Sequence, residues 1–289
     1  MVKTGSKKKR RQQSPGDHSD VYVPVILKIF RERYRPGASA VIFSLDDVRN
    51  AVDALRAAAP DPNKISARNP ADVIYRMRSR TKLPPEILAK GFHILRAIGR
   101  GQYRFERADS SILEPPSTKP VRAIDQTPMP VRRLLPPRLS EMDEQAVLSV
   151  ASYCMLLDHF TGMKIYRLRS HVRKSVPGVG QAELDAIDVG IAAAEDDMPI
   201  VFPIEAKTAA DALNRVQVFN MVAYARHYFP GLVVRPLAMK VDDDSVLHVM
   251  EFNAPERPSD LRVLRAASYV VDTSPAQLAM IAATSVPRQ

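Results

Sequence analysis

Seven prolines fall between Ala108 and Leu139 (Pro115, Pro116, Pro120, Pro128, Pro130, Pro136 and Pro137), and this stretch constrains the fold more than any other. Proline lacks a backbone donor and fixes φ, so neither a helix interior nor a central strand can run through such a segment. The 289-residue chain is thereby divided in two, and with 45% hydrophobic residues each part can bury a core of its own. The expected organisation is a disordered basic tail over 1–19, a small first domain over 20–107, an extended proline-rich linker over 108–139, a second domain over 140–255 and a C-terminal extension over 256–289.

Charge narrows the function. A formal net charge of +10 points to a polyanionic partner, because Lys and Arg gain by displacing counterions from phosphates. Nucleic acid leads, with an anionic membrane surface behind it. Cys154 is the single cysteine, which excludes an intrachain disulfide and a cysteine metal site. No apolar run approaches the ~20 residues of a spanning helix, and the first residues lack the apolar core of a signal peptide. A soluble, cytoplasmic protein with no membrane partner is expected.

In the first part, Val25, Ile26, Ile29 and Phe30 recur at helical spacing. Ser44 reads as the cap of a second helix carrying Asp46 and Asp47 in its first turn, and Asn69-Pro70 opens a third with Val73, Ile74 and Met77 inward. A short helix over "PPEILAKGF" and a hairpin over "ILRAIGRGQYRFER" follow. Short helices closed by a basic hairpin are the ingredients of a winged-helix-like α+β module. Between Lys64 and Arg107 there are eleven basic residues against three acidic ones, which favours DNA contact over an ordinary solvated face. Arg76, Arg78, Arg80, Lys82, Arg96, Arg100 and Arg104 are the candidate DNA-binding residues, with His171 and Arg173 from the second part. Tyr103 and Phe105 serve either as wing aromatics or as core.

The second part opens with a helix for which Ser140 is the expected cap, followed by three strands, a long helix over "TAADALNRVQVFNMVAYARHYF" and two more strands. That order defines an α/β sheet with a crossover helix. Its second strand, "GQAELDAIDVG", is unusually acidic for a core element. Side chains two apart share a face of a strand, so Glu183 and Asp185 project together, as do Glu205 and Lys207 in "PIVFPIEAK". If the two strands pair as a hairpin, two carboxylates and a lysine converge. Buried carboxylates repel unless a cation compensates them, and hard oxygen ligands select Mg²⁺, for which Mn²⁺ can substitute. Metal, water and lysine together suit phosphodiester hydrolysis.

The spacing of Asp185 and Glu205-Ala206-Lys207, with the apolar approach from Ile200 to Ile204, resembles the PD-(D/E)xK nuclease superfamily that includes type II restriction endonucleases. The resemblance runs from about Leu139 to Phe252 and implies a restriction-endonuclease-like mixed sheet flanked by helices. It further implies metal ligation by Asp185 and Glu205, catalysis by Lys207, completion of the site by Glu144 or Glu141, support from Gln217, and homodimerisation. The implied activity is a Mg²⁺-dependent DNA endonuclease acting on double-stranded DNA in restriction or phage defence, where a separately encoded cognate DNA methyltransferase would be a partner. The competing readings are a non-catalytic DNA-binding or regulatory protein that keeps the fold, and an RNA nuclease. Glu183 is open between a catalytic or metal role and pairing with His171 or Arg173. Asp188, three residues past Asp185, faces the other way in a regular strand, and His227 and His248 have no partner at ligand spacing.

Overall fold

The computed structural model describes residues 19–61, 69–79, 82–191 and 198–272. Residues 1–18, including the basic run of the tail, lie outside them, as do Lys64, Arg68 and Arg80 and the chain after Asp272.

The N-terminal unit follows its capping signals closely. Helix α1 (Ser19–Arg33) leads to strand β1 (Ala40–Ser44) and helix α2 (Leu45–Ala58). Ser44 and Asp47 form a reciprocal capping box that satisfies two otherwise orphaned backbone donors at the start of α2. Asn69 accepts from Ala71 N at 3.1 Å and so caps α3 (Pro70–Ser79). A single turn, α4 (Pro85–Leu88), precedes the hairpin of β2 (Phe92–Gly99) and β3 (Gln102–Arg107), which turns through Gly101 in the left-handed region. Strand β1 pairs with β3, giving a three-stranded sheet in the order β1-β3-β2. The expected apolar positions Val25, Ile26, Val48, Val73 and Ile74 are buried in one core with Phe105, whereas Tyr103 is half-buried at its margin. Strand β1 carries no separate signal in the sequence, because its five residues run directly into the cap of α2.

The second unit contains helices α6 (Glu144–Tyr153) and α7 (Leu156–Thr161), strands β5 (Lys164–Val176), β6 (Gly180–Ile191) and β7 (Ile200–Lys207), and helix α8 (Arg215–Tyr228). Strands β8 (Val233–Val234), β9 (Leu237–Val241), β10 (Leu247–Phe252) and β11 (Val263–Asp272) complete it. They belong to an eight-stranded mixed sheet ordered β4-β11-β10-β9-β7-β6-β5, in which β8 pairs with β7 and β4 is Val121–Ile124. The class is mixed α/β, with a mixed multi-strand sheet flanked by helices. Strand β7 is apolar on both faces, as a central strand covered on both sides must be. Ile204 and Ala206 pack with the α6 and α7 core, while Val201 packs with Val218 and Met221 of α8.

Four expectations from the sequence change. The segment read as an extended linker supplies an edge strand, β4, in parallel register with β11, and a helical turn, α5 (Met129–Arg132). Its prolines lie outside β4, where a four-residue edge strand tolerates them. Asp125 and Arg132 pair at 2.8 Å in near-complete burial and brace the segment internally, while Asp125 N donates to Asp272 O at the end of β11 at 3.1 Å and ties it to the sheet unit. The C-terminal extension likewise begins inside the sheet, since β11 pairs with β10. The helix expected from Ser140 starts at Glu144, because Asp143 rather than Ser140 accepts from Ala146 N and caps it, and it breaks at Met155 in the left-handed region. Helix α8 begins only at Arg215, with Asn214 as its cap. Among the described residues no helix is long and apolar enough to cross a membrane.

Candidate active site

Strands β6 and β7 pair antiparallel, with Ala186 opposite Ile204, so the next rung sets Asp185 beside Glu205. There the ladder gives way to a side chain: Asp185 Oδ2 accepts from Ala206 N at 2.8 Å. Alternation along β7 puts Lys207 on the same face as Glu205, and its Nζ donates to Glu205 Oε1 at 2.7 Å. Gln217, in the first turn of α8, donates from Nε2 to the same oxygen at 2.8 Å. The expected convergence of Asp185, Glu205, Lys207 and Gln217 is therefore present. These side chains open onto a cleft of about 290 Å³ whose rim includes His171, Arg173 and Glu183.

The electrostatics are those of too many carboxylates for the cations present. Glu205 is 3% exposed. Burial first, and then the neighbouring charges of Asp185 and Glu144 against that of Lys207, raise its pKa to about 7. Burial also raises Asp185, against the Ala206 amide and Lys207. For Lys207 burial works downward, but Glu205, Asp185 and Glu144 together outweigh it and hold the ammonium above its ordinary value. Glu144, at the start of α6, thus feels all three groups without a direct bond to them. Glu141 lies exposed in a separate turn.

No group of three or more His, Cys, Asp or Glu side chains among the described residues is arranged to hold a metal ion by itself. Mg²⁺ does not require one, since it is commonly held by one or two carboxylates with water and substrate phosphate oxygens completing its shell. Asp185 Oδ1 and Glu205 Oε2 accept no protein hydrogen bond among the described residues, while their partner oxygens are fixed by Ala206, Lys207 and Gln217. Two oriented carboxylates with one oxygen each to spare, in an undercompensated acidic pocket, fit a divalent cation.

The remaining acidic residues of β6 separate cleanly. Asp188 is 2% exposed and hydrogen-bonds Arg167 on β5, away from the cleft. Glu183 pairs with Arg173 at 3.0 Å, directly across the β5–β6 ladder and largely exposed. His171 stands on the cleft rim, and the flanking pairs Ser170 with Ala186 and Val172 with Leu184 bracket it opposite Asp185. Its backbone lies at φ 49°, a left-handed conformation that costs a residue other than glycine about 1–3 kcal/mol. His248 is held by Ser268 and Asp242 within the β10–β11 region.

The basic candidates of the first unit divide. Arg100 is exposed at the hairpin turn, Lys82 is exposed, and Arg76 and Arg78 on α3 are half-buried. Arg96 is a correction: its guanidinium is buried, donates to Glu106 at 2.7 Å and stacks 5.4 Å from the Phe219 ring of α8, so it joins the two units instead of facing a ligand. Arg104 shares the Glu106 carboxylate at 3.2 Å. Tyr75 and Asn220, which are not among the candidates drawn from the sequence, line a cleft adjoining the one that holds Asp185 and Glu205. Their signal lies in helical spacing, since Asn220 follows Gln217 by three residues and Arg78 follows Tyr75 by three, placing each pair on one helix face. Set beside known proteins, the chain matches no family model, no curated protein and no solved structure.

Proposed function

We propose that the protein is a metal-dependent nuclease that hydrolyses phosphodiester bonds in DNA, with Asp185 and Glu205 as metal ligands and Lys207 as the catalytic cation. The observation that carries this reading is the shared Glu205 Oε1, which receives both Lys207 Nζ and Gln217 Nε2 beside Asp185. Mg²⁺, when bound, would supply Lewis-acid polarisation of the phosphate and a more acidic water. Lys207 lies where it can neutralise charge developing on the phosphate and orient the attacking water. Gln217 holds Glu205 in one rotamer, and the Ala206 amide does the same for Asp185, so the carboxylates need little reorganisation as charge develops.

The restriction-endonuclease-like character of the sheet unit belongs to the same proposal. So does a winged-helix-like role for the N-terminal unit, supported by its helices, its β1-β3-β2 sheet and the basic residues left exposed on it. Double-stranded DNA cleavage in a restriction or phage-defence setting, as a homodimer, is the concrete form of the reading.

The test is incubation of the full-length protein with plasmid and linear DNA, with Mg²⁺, Mn²⁺ or chelator, beside Lys207→Ala. Metal-dependent cleavage that falls by about 100-fold or more in the variant is expected, the size of loss seen when one preorganised charge-stabilising group is removed. Equal cleavage by both proteins, or none by either, would overturn the assignment.

A further inference from the structure

The catalytic cleft does not end at Asp185. It shares Arg173, Glu183 and Gln217 with a second cleft of about 180 Å³, which in turn shares Arg78, Asn214 and Val216 with a third beneath the N-terminal unit. One wall of the second cleft is helix α3 of the N-terminal unit, which contributes Tyr75 and Arg78. The opposite wall is β6 and α8, which also carry the catalytic residues. Helix α3 therefore lines the second cleft beside the Asp185–Glu205 cleft, and an occupant of that second cleft meets both units at once.

The chemistry of the second cleft is unlike that of the first. Three of its four amide side chains are already engaged: Asn214 caps α8, Gln217 holds Glu205, and Gln181 Oε1 accepts from Arg173. Asn220 is half-buried and makes no hydrogen bond among the described residues, which leaves a donor and an acceptor side by side. That pair matches the adjacent N6 and N7 atoms of adenine. Tyr75 is 46% exposed and presents an aromatic ring to the same space. Arg78 lines the cleft as a positive charge, and Arg173 lines it while paired with Glu183 at 3.0 Å. A stacking ring, an uncommitted amide and a nearby guanidinium are what an unpaired base and its adjoining phosphate require. A base still paired in a duplex cannot present a face to Tyr75 and an edge to Asn220 together.

We propose that this second cleft is a nucleobase subsite, taking one unpaired base, adenine by preference, stacked on Tyr75 and read by Asn220, next to the phosphate that is cut. The inference rests on the nuclease reading for what lies next door, but the subsite is a binding property and can be measured without cleavage.

The experiment uses the full-length protein in chelator with short single-stranded oligothymidines carrying one 2-aminopurine, which lacks the 6-amino group and so reports stacking on Tyr75 alone, or one adenine, which carries both atoms that Asn220 would read. Binding should quench 2-aminopurine emission. Tyr75→Phe should keep the quenching, and Tyr75→Ala should abolish it while salt-dependent binding, followed by anisotropy, persists. Asn220→Ala should reduce the preference for the adenine-bearing strand over plain oligothymidine by roughly tenfold, and Asn220→Asp, which keeps the size and loses the donor, should do the same. Emission unchanged at saturation, quenching that survives Tyr75→Ala, or a base preference intact in both Asn220 variants would overturn the subsite. Adenosine monophosphate competing as well as the oligonucleotide would also overturn it, because the site would then serve a free nucleotide. The base signature without metal-dependent cleavage by the wild type would keep the subsite and remove the nuclease. Cleavage that depends on Lys207, without the signature, would do the reverse.

Discussion

Two glutamates are buried in the same sheet and surrounded by opposite chemistry. Glu251 on β10 accepts from Arg235 at 2.6 and 2.8 Å and from Arg265 at 2.6 Å. Glu205 on β7, two strands away, has one lysine and one amide, and it shares that lysine with Asp185 and Glu144. Burial pushes both acids upward. At Glu251 the hydrogen bonds from the two arginines more than reverse the effect and hold the carboxyl below its ordinary value, whereas Glu205 remains near 7. Glu251, which only holds the fold together, is given more cation than it needs. Glu205, proposed to hold a metal ion, is left short of cation, and the shortage coincides with the cleft that Asp185 and Lys207 share.

The comparison is broken most directly by removing each acid in turn. Glu251→Ala strands Arg235 and Arg265 against each other and should destabilise the protein by about 3 kcal/mol, the low end for removing one partner of a buried pair because Arg265 retains access to water. Glu205→Gln removes a charge the fold does not compensate, so its urea midpoint should match or exceed that of the wild type while cleavage is lost. Equal destabilisation by the two substitutions would mean that Glu205 is structural.

The sign of the pH dependence follows. Glu205 has a folded pKa near 7 against an ordinary 4.5, so between these values the native state binds the proton that the unfolded state has released. The stability this provides is fully present below about pH 4.5 and is lost as the pH rises through 7. In metal-free protein the loss should reach about 3 kcal/mol, and Glu205→Gln should flatten it. A wild-type stability that is level or rising over the same window contradicts the undercompensated pocket.

A smaller effect is expected at Gln217, which orients the carboxylate without supplying charge. Gln217→Leu should cost roughly tenfold in cleavage rate, about 1.4 kcal/mol in the barrier, with little change in DNA affinity measured without metal. A loss confined to affinity would place Gln217 in binding instead.

Half of this contrast is legible in the amino-acid sequence, and the reason is the range of the interactions involved. Ser44, Asn69 and Pro70 declare their helices because a cap bonds to backbone two or three residues away. Asp185, Glu205 and Lys207 are equally legible, because strand alternation and one hairpin pairing suffice to bring them together. What stays hidden depends on partners distant in the chain. Strand β4 forms only against β11, paired at Val121 with Tyr269, and nothing in a short proline-flanked run announces that partner. Arg96 reads like any exposed hairpin arginine, since its burial comes from Glu106 across the turn and Phe219 in the other unit. Glu251 gives no signal, because its two arginines precede and follow it by 16 and 14 residues.

The same contrast resolves the question that the acidic strand β6 poses about Glu183. It stands on the rim of the cleft, two residues from Asp185, yet its carboxylate is matched one for one by Arg173 at 3.0 Å and both side chains are well exposed. Matching marks a structural acid and exposure makes it a weak one, since solvent-exposed ion pairs contribute at most about 1 kcal/mol. Glu183→Gln should therefore change stability by less than that and leave metal-dependent cleavage within about threefold of the wild type, a barrier change of under roughly 0.7 kcal/mol. Arg173→Gln should differ: it leaves Glu183 as an unpaired negative charge on the cleft rim, so on the nuclease reading DNA affinity should fall although Asp185 and Glu205 are untouched. If Glu183→Gln instead abolishes cleavage while Arg173→Gln spares it, then Glu183 is a ligand despite its partner, and local charge balance does not distinguish structural from functional acids on this sheet.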